Sequence, residues 1–341
     1  MNKYILSLCI FATALITGCI SDDKMNPDNT STTNFDLLWK LVDEKYCYLN
    51  SKNIDWEQIG KQYRSKLRDD MTEEELFELC GNMLYHLKDG HVNIFSDFNI
   101  SRNWSWYLDY PLNFNMDIIH YGYLEPDFNY VGPLMVKKFN NIGYIYYGSF
   151  QNELSDSNIE TALKVLGSVD GLIIDVRGNG GGSLAYAQTF TGCFVKTKTR
   201  IGFQRYKEGK GHNDLSEWYG VYAEPKLDKP FNGQIIVLTN RESYSAANYF
   251  ASYMKALPNV TIMGDNTGGG GAMPLTFELY NGWSVRMSMD PAYTVDKEDI
   301  EPGIAPDIRV SMSQNDALNN IDTILEEAIL KLSGRYYKKS K

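Results

Sequence analysis

A glycine-rich segment could stabilise a negative charge in a reaction. Residues 175–182, DVRGNGGG, follow a short apolar run and precede a helical pattern. Consecutive glycines allow the backbone to turn sharply and to present free N–H groups to an anion. The N–H group of Gly180 or Gly181 could therefore belong to an oxyanion hole. A plain turn between a strand and a helix is the structural alternative.

A serine-rich segment could supply a nucleophile. Residues 240–250, NRESYSAANYF, place Ser245 directly before Ala246, where an apolar strand passes into a helix. A hydroxyl at a helix N-terminus faces unpaired N–H groups and a positive dipole, which stabilise an alkoxide or a tetrahedral oxyanion. The Ala246 N–H could join that of the glycine segment. Alternatively, Ser243 or Ser245 is only a helix cap.

The elements that would position these two segments alternate between strand and helix. Apolar runs predict strands at 143–150, 171–176, 235–239 and 260–264, and helical periodicity predicts helices at 158–166, 184–194 and 245–257. This alternation indicates an α/β core. Three helices with cap signals at Thr33, Asp55 and Thr72 precede the core, and a hairpin at 275–289 and one long helix at 316–332 follow it. Asp175 and Arg177, at the end of a buried strand, are expected to pair with each other or with the backbone.

The order of motifs resembles a known family. A strand with DVRGNGGG, a strand with the SYSAAN helix and then MGDNTGGG are similar to the core of C-terminal processing peptidases and tricorn proteases, over most of residues 33–310. The resemblance implies an α/β fold with a crotonase/ClpP-like ββα spiral core after a small N-terminal helical bundle. No segment is long enough for a PDZ domain between them. The resemblance also implies that Ser245 is the nucleophile and that no cofactor is used.

Two departures from the family pattern direct attention to its tricorn-like branch. Gly270 stands where the processing peptidases have a dyad lysine, and Asn248 stands where they usually have a glutamate. The tricorn-like branch uses a histidine base and a glutamate that orients it. His91, in a DGH segment, and Glu301, in EPGIAPD, match those positions. The implied triad is Ser245, His91 and Glu301, in which the base activates the hydroxyl and the acid supports the imidazolium.

Other titratable residues compete for these roles. Acidic side chains near Glu301 could orient the base instead, and the remaining histidines are expected to be structural. These acids are Asp296, Glu298 and Asp299, and these histidines are His86, His120 and His212.

The N-terminus resembles a lipoprotein signal. Lys3 precedes an apolar run at 4–15, and Ile16-Thr17-Gly18 leads into Cys19. This pattern predicts a signal peptide at 1–18 and acylation of Cys19, which would anchor the protein to a membrane surface. Two acids behind Cys19 suggest the outer membrane of a Gram-negative cell envelope, with display on the cell surface left open. An ordinary signal with a coincidental cysteine is the alternative.

Composition excludes several classes of protein. The formal net charge of −10 disfavours nucleic acid, and four histidines without zinc-type spacing disfavour a metal site. Cys47 and Cys80 could pair, or they could remain free like Cys193. The expected divisions are a tether at 19–32, a helical domain at 33–97, an aromatic-rich connection at 98–140 and a peptidase core at 141–341.

The predicted function is hydrolysis of a peptide or protein substrate through an acyl-enzyme on Ser245. A catalytically silent ligand-binding module on the same fold is the first alternative, because the aromatic stretch 104–130 could line a binding face. A crotonase-like acyl enzyme is a weaker alternative, because an exported lipoprotein meets little coenzyme A. The oligomeric state stays open.

Overall fold

The core of the fold is a large, mostly parallel β-sheet. The computed structural model describes residues 29–104, 108 and 110–338. Seven strands pair in the order β12, β9, β8, β5, β4, β3, β2, and those from β12 to β4 are parallel. Their bounds are β2 Asn129–Val131, β3 Leu134–Phe139, β4 Ile142–Tyr146, β5 Gly171–Asp175, β8 Gln234–Thr239, β9 Val260–Gly264 and β12 Ile308–Arg309. Parallel strands bring their carboxyl ends to one edge, where ligands usually bind.

Helices cover both faces of this sheet, so the parallel strands are apolar throughout. On one face, Ile145, Ile174 and Val237 share a core with α5, α6 and α7. On the other face, Ile173 and Ile236 pack against α9. The helix bounds are α5 Asp156–Leu166, α6 Leu184–Gly192, α7 Ala246–Lys255 and α9 Thr323–Ser333. The α/β fold class and the ββα spiral core expected from the sequence are confirmed.

The N-terminal helices pack against a second, antiparallel sheet. Its strands are ordered β1, β11, β6, β7, with β10 also paired to β11. One hydrophobic cluster joins Phe35, Met83 and Val285 from the helices and from β11. The bounds are α1 Ser31–Lys45, α2 Trp56–Arg64, α3 Glu73–Tyr85, β1 Asn93–Phe95, β6 Thr199–Gln204, β7 Tyr219–Ala223, β10 Ala272–Glu278 and β11 Ser284–Tyr293. The bundle therefore shares its core with strands that come much later in the chain.

The region between the bundle and the core has little regular structure in its described part. Between α3 and β4 it holds β1, the helical turn α4 at Met116–Ile119, a π-helical turn at His120–Leu124 and the strands β2 and β3. No PDZ domain is present among the described residues of this region. The three cysteines described, Cys47, Cys80 and Cys193, are buried and free.

The structure corrects the ends of two predicted helices. Helix α1 begins at Ser31, because Thr30 is its N-cap and Thr33 completes the capping box from inside the helix. The prediction of a single helix at 316–332 is wrong, because α8 spans Gln314–Leu318 and α9 begins at Thr323. Leu318, which lies within the predicted helix, is 78% exposed. Asp322 starts the second helix, since its side chain accepts the Leu325 N–H and binds Arg177.

In the part of the chain that the structure describes, no helix has both the length and the apolar character to cross a bilayer.

Candidate active site

Ser245 has a strained backbone conformation at the N-terminus of α7. It follows the end of β8 and has φ of 54° and ψ of −120° as the residue before the helix. Positive φ is uncommon for residues other than glycine, and such strain persists only where surrounding structure enforces it. Here the Ser245 N–H donates to Gly269 O at 2.9 Å, and the Tyr244 N–H donates to Asn179 O at 3.0 Å. The backbone on both sides therefore fixes the direction of the Ser245 hydroxyl.

The glycine segment lies directly beside Ser245. Gly181 has φ of +96°, and a Cβ there would lie 2.6 Å from Tyr244 O and 2.8 Å from Ala246 N. Only glycine fits such a close approach. The Gly181 N–H already donates to Asn179 Oδ1 at 3.0 Å. Of the two glycines that the sequence offered for an oxyanion hole, Gly180 is thus the one whose N–H lacks an acceptor among the described residues.

The Ala246 N–H is a second available donor. Ala246 is the first residue of α7, so its N–H has no partner within the helix. None of the described residues accepts a hydrogen bond from it. The packing of Gly181 against Ala246 N brings the glycine segment and the start of the helix together at Ser245.

His91 reaches Ser245 from the loop after α3. Its Nε2 lies 3.0 Å from Ser245 Oγ, although 154 residues separate them in sequence. Its backbone N–H donates to Asp89 Oδ1 at 2.8 Å, and its ring lies 5.0 Å from the ring of Tyr244. The imidazole is therefore within hydrogen-bond reach of the hydroxyl, as a general base requires.

Burial keeps the His91 imidazole uncharged. His91 is only 3% exposed. This burial lowers its pKa to about 4, Asp89 opposes the shift, and the charges of Arg286 and Lys52 add to it. An imidazole with so low a pKa is neutral at pH 7 and has an open lone pair for a proton.

Glu301 is also buried, but no hydrogen bond joins its carboxylate to the His91 imidazole. Its Oε1 is 2.7 Å from Lys52 Nζ, and its Oε2 accepts the Gly271 N–H at 2.8 Å. Burial and repulsion from Asp89 raise its pKa to about 8, against the effects of Lys52 and the Gly271 hydrogen bond. Asp299 accepts the Glu301 N–H, whereas Asp296 and Glu298 are exposed. Among the described residues, no side chain is hydrogen-bonded to His91 Nδ1.

Asp89 is the carboxylate closest to the His91 backbone, and sequence reasoning did not assign it a role. It is fully buried, and its Oδ2 accepts the Tyr46 hydroxyl at 3.0 Å and lies 3.9 Å from Lys52 Nζ. Against the effect of burial, Lys52 and His91 hold its pKa below the ordinary value. The position of Asp89 two residues before His91 is the feature of the sequence that could have indicated this role.

The two departures from the family pattern have structural explanations. A Cβ on Gly270 would lie 2.6 Å from the Tyr244 ring, and φ there is +77°, so no lysine fits this backbone. Asn248 is buried inside α7, where it donates to Ile300 O at 2.9 Å and accepts the Thr267 hydroxyl at 2.6 Å. Asn248 therefore ties α7 to the segment that carries Glu301.

The remaining candidates have structural partners. Arg177 forms buried ion pairs with Asp175 at 2.6 Å and with Asp322 at 3.0 Å, which confirms the expected pairing at the end of β5. The other histidines each contact a neighbouring side chain: His86 contacts Tyr63, His120 contacts Glu125, and His212 contacts Asp43.

Family models match two parts of the chain. Residues 141–310 match Peptidase family S41, and residues 27–85 match the tricorn protease C1 domain. Carboxy-terminal processing protease CtpA of Bacillus subtilis (strain 168) is 30% identical over 188 residues, which are 54% of this chain and 38% of that protein. A carboxy-terminal-processing protease of Bartonella bacilliformis is 28% identical over 198 residues, 56% of this chain and 44% of that protein. The chain thus spans less than half the length of these curated relatives.

Solved structures extend the similarity over the whole fold. A crystal structure of a candidate peptidase from Parabacteroides merdae is 41% identical, covers 90% of this chain and 98% of its own, and has a TM-score of 0.86. Mature CPAF complexed with lactacystin has a TM-score of 0.67 at 10% identity over 89% of this chain and 98% of its own, and it shows the fold alone. With the matched core, the matched N-terminal segment and this full-length similarity, the chain belongs to Peptidase family S41.

Proposed function

We propose that this protein is a serine peptidase that hydrolyses peptide bonds through an acyl-enzyme on Ser245. The observation that carries the proposal is the 3.0 Å contact between His91 Nε2 and Ser245 Oγ, inside a site with two available N–H donors. A serine hydroxyl is a poor nucleophile at neutral pH unless a base removes its proton, and a neutral imidazole can do so. The carboxy-terminal processing activity named for the curated relatives supports the same reaction class.

The proposed reaction has two halves. As Ser245 Oγ attacks the peptide carbonyl carbon, His91 Nε2 takes the hydroxyl proton and later gives it to the departing amine. The N–H groups of Gly180 and Ala246 hold the oxyanion of each tetrahedral intermediate. A water then loses a proton to His91 and attacks the acyl group, and Ser245 regains its proton when the acid product leaves.

In the Ser-His-Glu triad implied by the sequence, Glu301 is the acid, but its carboxylate is bonded to Lys52 and to the Gly271 N–H. We assign the electrostatic support to Asp89, because its charge favours the protonated form of His91. Glu301 then acts as a positioning residue. It holds the Gly271 N–H and Lys52, and it thereby fixes the backbone segment whose Gly269 O accepts the Ser245 N–H.

The silent ligand-binding alternative gains no support from this geometry. A binding module does not require a neutral imidazole on a serine hydroxyl. Nor does it require strained backbone at that serine. The neutral imidazole and the strained serine backbone are both consistent with acyl transfer, where the base and the fixed hydroxyl favour nucleophilic attack.

We also propose that the protein is anchored by lipid on Cys19 in the outer membrane of a Gram-negative cell envelope. Cys19 lies outside the described residues, so the proposal is based on the signal-like pattern of residues 1–19. An acyl chain on Cys19 would hold the folded domain at a membrane surface without a membrane-spanning helix.

Replacement of Ser245 by alanine is expected to abolish peptide hydrolysis. Ser245→Ala and His91→Ala should each reduce kcat by roughly 10³-fold or more, because nucleophile and base act as a unit. Cleavage of a synthetic peptide mixture, followed by mass spectrometry, measures the loss. Ser252→Ala is the matched control, because Ser252 lies on the same helix and its buried hydroxyl lacks a hydrogen-bond partner among the described residues. Equal cleavage by wild type and Ser245→Ala would refute the assignment.

Alanine substitutions should distinguish the roles of Gly180 and Gly181 in the glycine segment. Gly181→Ala places a methyl group against Tyr244 O and Ala246 N, whereas a Cβ on Gly180 meets nothing within 4 Å. We expect Gly181→Ala to slow peptide cleavage by roughly 10²-fold, the scale of losing an oxyanion donor. Gly180→Ala keeps its N–H and should lose far less. Similar rates for the two variants, with unchanged circular dichroism, would contradict the proposed oxyanion hole.

The acid limb of kcat/KM should lie near pH 4 in wild type. His91 must be unprotonated to act as a base, and burial lowers its pKa to about 4 from 6.5. Activity should therefore persist at pH 5, where an ordinary imidazole is mostly protonated. The unfolded chain binds this proton below pH 6.5, so stability falls between pH 6.5 and 4. Circular dichroism must confirm folded protein at each pH.

Two acid variants test which carboxylate supports His91. Asp89→Asn removes a charge that raises the His91 pKa. It should therefore lower kcat and shift the acid limb of the kcat/KM profile to lower pH. Glu301→Gln should leave the acid limb in place, because Glu301 is not among the groups that shift the His91 pKa. If Glu301→Gln shifts the acid limb and Asp89→Asn does not, Glu301 is the acid that supports His91.

Loss of the anchor should release the protein from membranes. In a Gram-negative host, Cys19→Ala is expected to move the protein from the outer-membrane fraction to the soluble fraction. Metabolic labelling with a fatty acid analogue should mark wild type only. Labelling of the Cys19→Ala protein, or membrane fractionation that does not depend on Cys19, would show that the lipid-anchor proposal is wrong.

A further inference from the structure

A mostly apolar cavity lies beside the candidate nucleophile. It has a volume of about 290 Å³ and is walled by Trp104, Leu108, Pro111 and Leu112 among others. Gly180, a proposed oxyanion donor, and Tyr244, which directly precedes Ser245, also line it. A group bound in this cavity would therefore lie close to the bond that Ser245 attacks.

Arg241 is a buried cation that lines this cavity. It is 9% exposed, and its guanidinium stacks 4.1 Å from the centre of the Tyr110 ring. Nη1 donates to Thr267 O at 3.2 Å, and Nε is buried without a hydrogen-bond partner. Among the described residues, no carboxylate forms an ion pair with Arg241.

Two other cations, Arg177, which is buried, and Lys52, which is partly buried, differ from Arg241 in their partners. Arg177 forms ion pairs with two buried aspartates, and Lys52 lies between Glu301 and Asp89. A buried charge without a counter-ion is costly, and a guanidinium matches a carboxylate with two parallel hydrogen bonds. Among the described residues, Arg241 therefore lacks the ion pair that Arg177 and Lys52 have.

An acidic residue, Glu242, also lines the cavity. Glu242 is exposed, and its carboxylate accepts a hydrogen bond from Asn240 Nδ2 at 3.4 Å. Water can solvate the Glu242 carboxylate and weaken its field, whereas the Arg241 charge is largely shielded from water. An anion inside the cavity would thus be attracted to Arg241 more strongly than Glu242 repels it.

We propose that Arg241 determines specificity by binding a carboxylate of the peptide substrate, with an adjacent apolar side chain packed on the cavity wall. The proposal rests on the proposed peptidase function. The carboxylate lies within one or two residues of the scissile bond, because Tyr244 and Gly180 join the cavity to Ser245. Either the free C-terminus of a peptide or an acidic side chain can supply it.

Three peptides test the carboxylate without catalysis. Acetyl-Ala-Ala-Leu is titrated as the free acid and as the carboxamide into Ser245→Ala protein by calorimetry, and acetyl-Ala-Asp-Leu-amide is the third ligand. We expect at least one carboxylate-bearing peptide to bind about tenfold or more tightly than the neutral carboxamide. The free acid would then identify a terminal carboxylate as the source, and the aspartyl peptide would identify a side chain. Equal affinities, or no binding by any of the three at millimolar concentration, would overturn the proposal.

Substitution of Arg241 tests whether this residue makes the distinction. Arg241→Gln, in the Ser245→Ala background, should bind acid and amide peptides within about twofold of each other, and Arg241→Lys should retain part of the preference. Arg200→Gln removes an exposed arginine and should keep the full preference. A preference that survives in Arg241→Gln would overturn the assignment. Because Arg241 is buried, the comparison of the three peptides in Ser245→Ala protein with Arg241 intact decides the question if that variant does not fold.

Cleavage assays separate this inference from the proposed function. In a protein with Ser245 intact, Arg241→Gln should raise KM for the preferred peptide by about tenfold or more, with a smaller change in kcat. If the carboxylate preference appears in binding but wild type cleaves no peptide, the peptidase proposal fails and Arg241 keeps its role. If wild type cleaves acid and amide peptides equally and binds them equally, only the role of Arg241 fails.

Discussion

The contact between His91 and Ser245 depends on how the N-terminal helices are attached to the main body. His91 follows α3, and Ser245 directly precedes α7, so neither element positions the pair alone. The bundle packs on β11 through one hydrophobic cluster, and Lys52 reaches Glu301 across the same boundary at 2.7 Å. Apolar burial supplies most of this attachment, and the ion pair adds direction. The site is therefore assembled by tertiary packing of distant segments.

Burial has opposing consequences for the charges in this site. It lowers the His91 pKa, which leaves the imidazole free to accept a proton, but it also makes the resulting imidazolium less stable. Asp89 compensates for part of that cost, and Lys52 stabilises Asp89 and Glu301 together. The raised pKa of Glu301 shows that one lysine only partly offsets two buried acids. The reaction we propose uses this balance, because the charge on His91 develops only when Ser245 reacts.

Sequence predicted the fold well where local pattern and burial agree. The apolar runs of β5, β8 and β9 and the caps at Asp55 and Thr72 lie where they were expected. The break before α9 was missed because a tertiary ion pair to Arg177 decides where that helix starts. The His91 position came only from family resemblance, since spacing cannot reveal a contact across 154 residues. The roles assigned to Asp89 and Arg241 depend on burial and on partners, which the sequence does not display.

The structure of a covalent adduct tests the central claim most directly. Protein treated with a fluorophosphonate and then crystallised should carry phosphorus on Ser245 Oγ. The phosphoryl oxygen should lie about 2.7–3.1 Å from the N–H nitrogens of Gly180 and Ala246, with His91 Nε2 beside Oγ. An unmodified Ser245 with adduct at another residue would contradict the account. So would a phosphoryl oxygen that points away from both N–H groups.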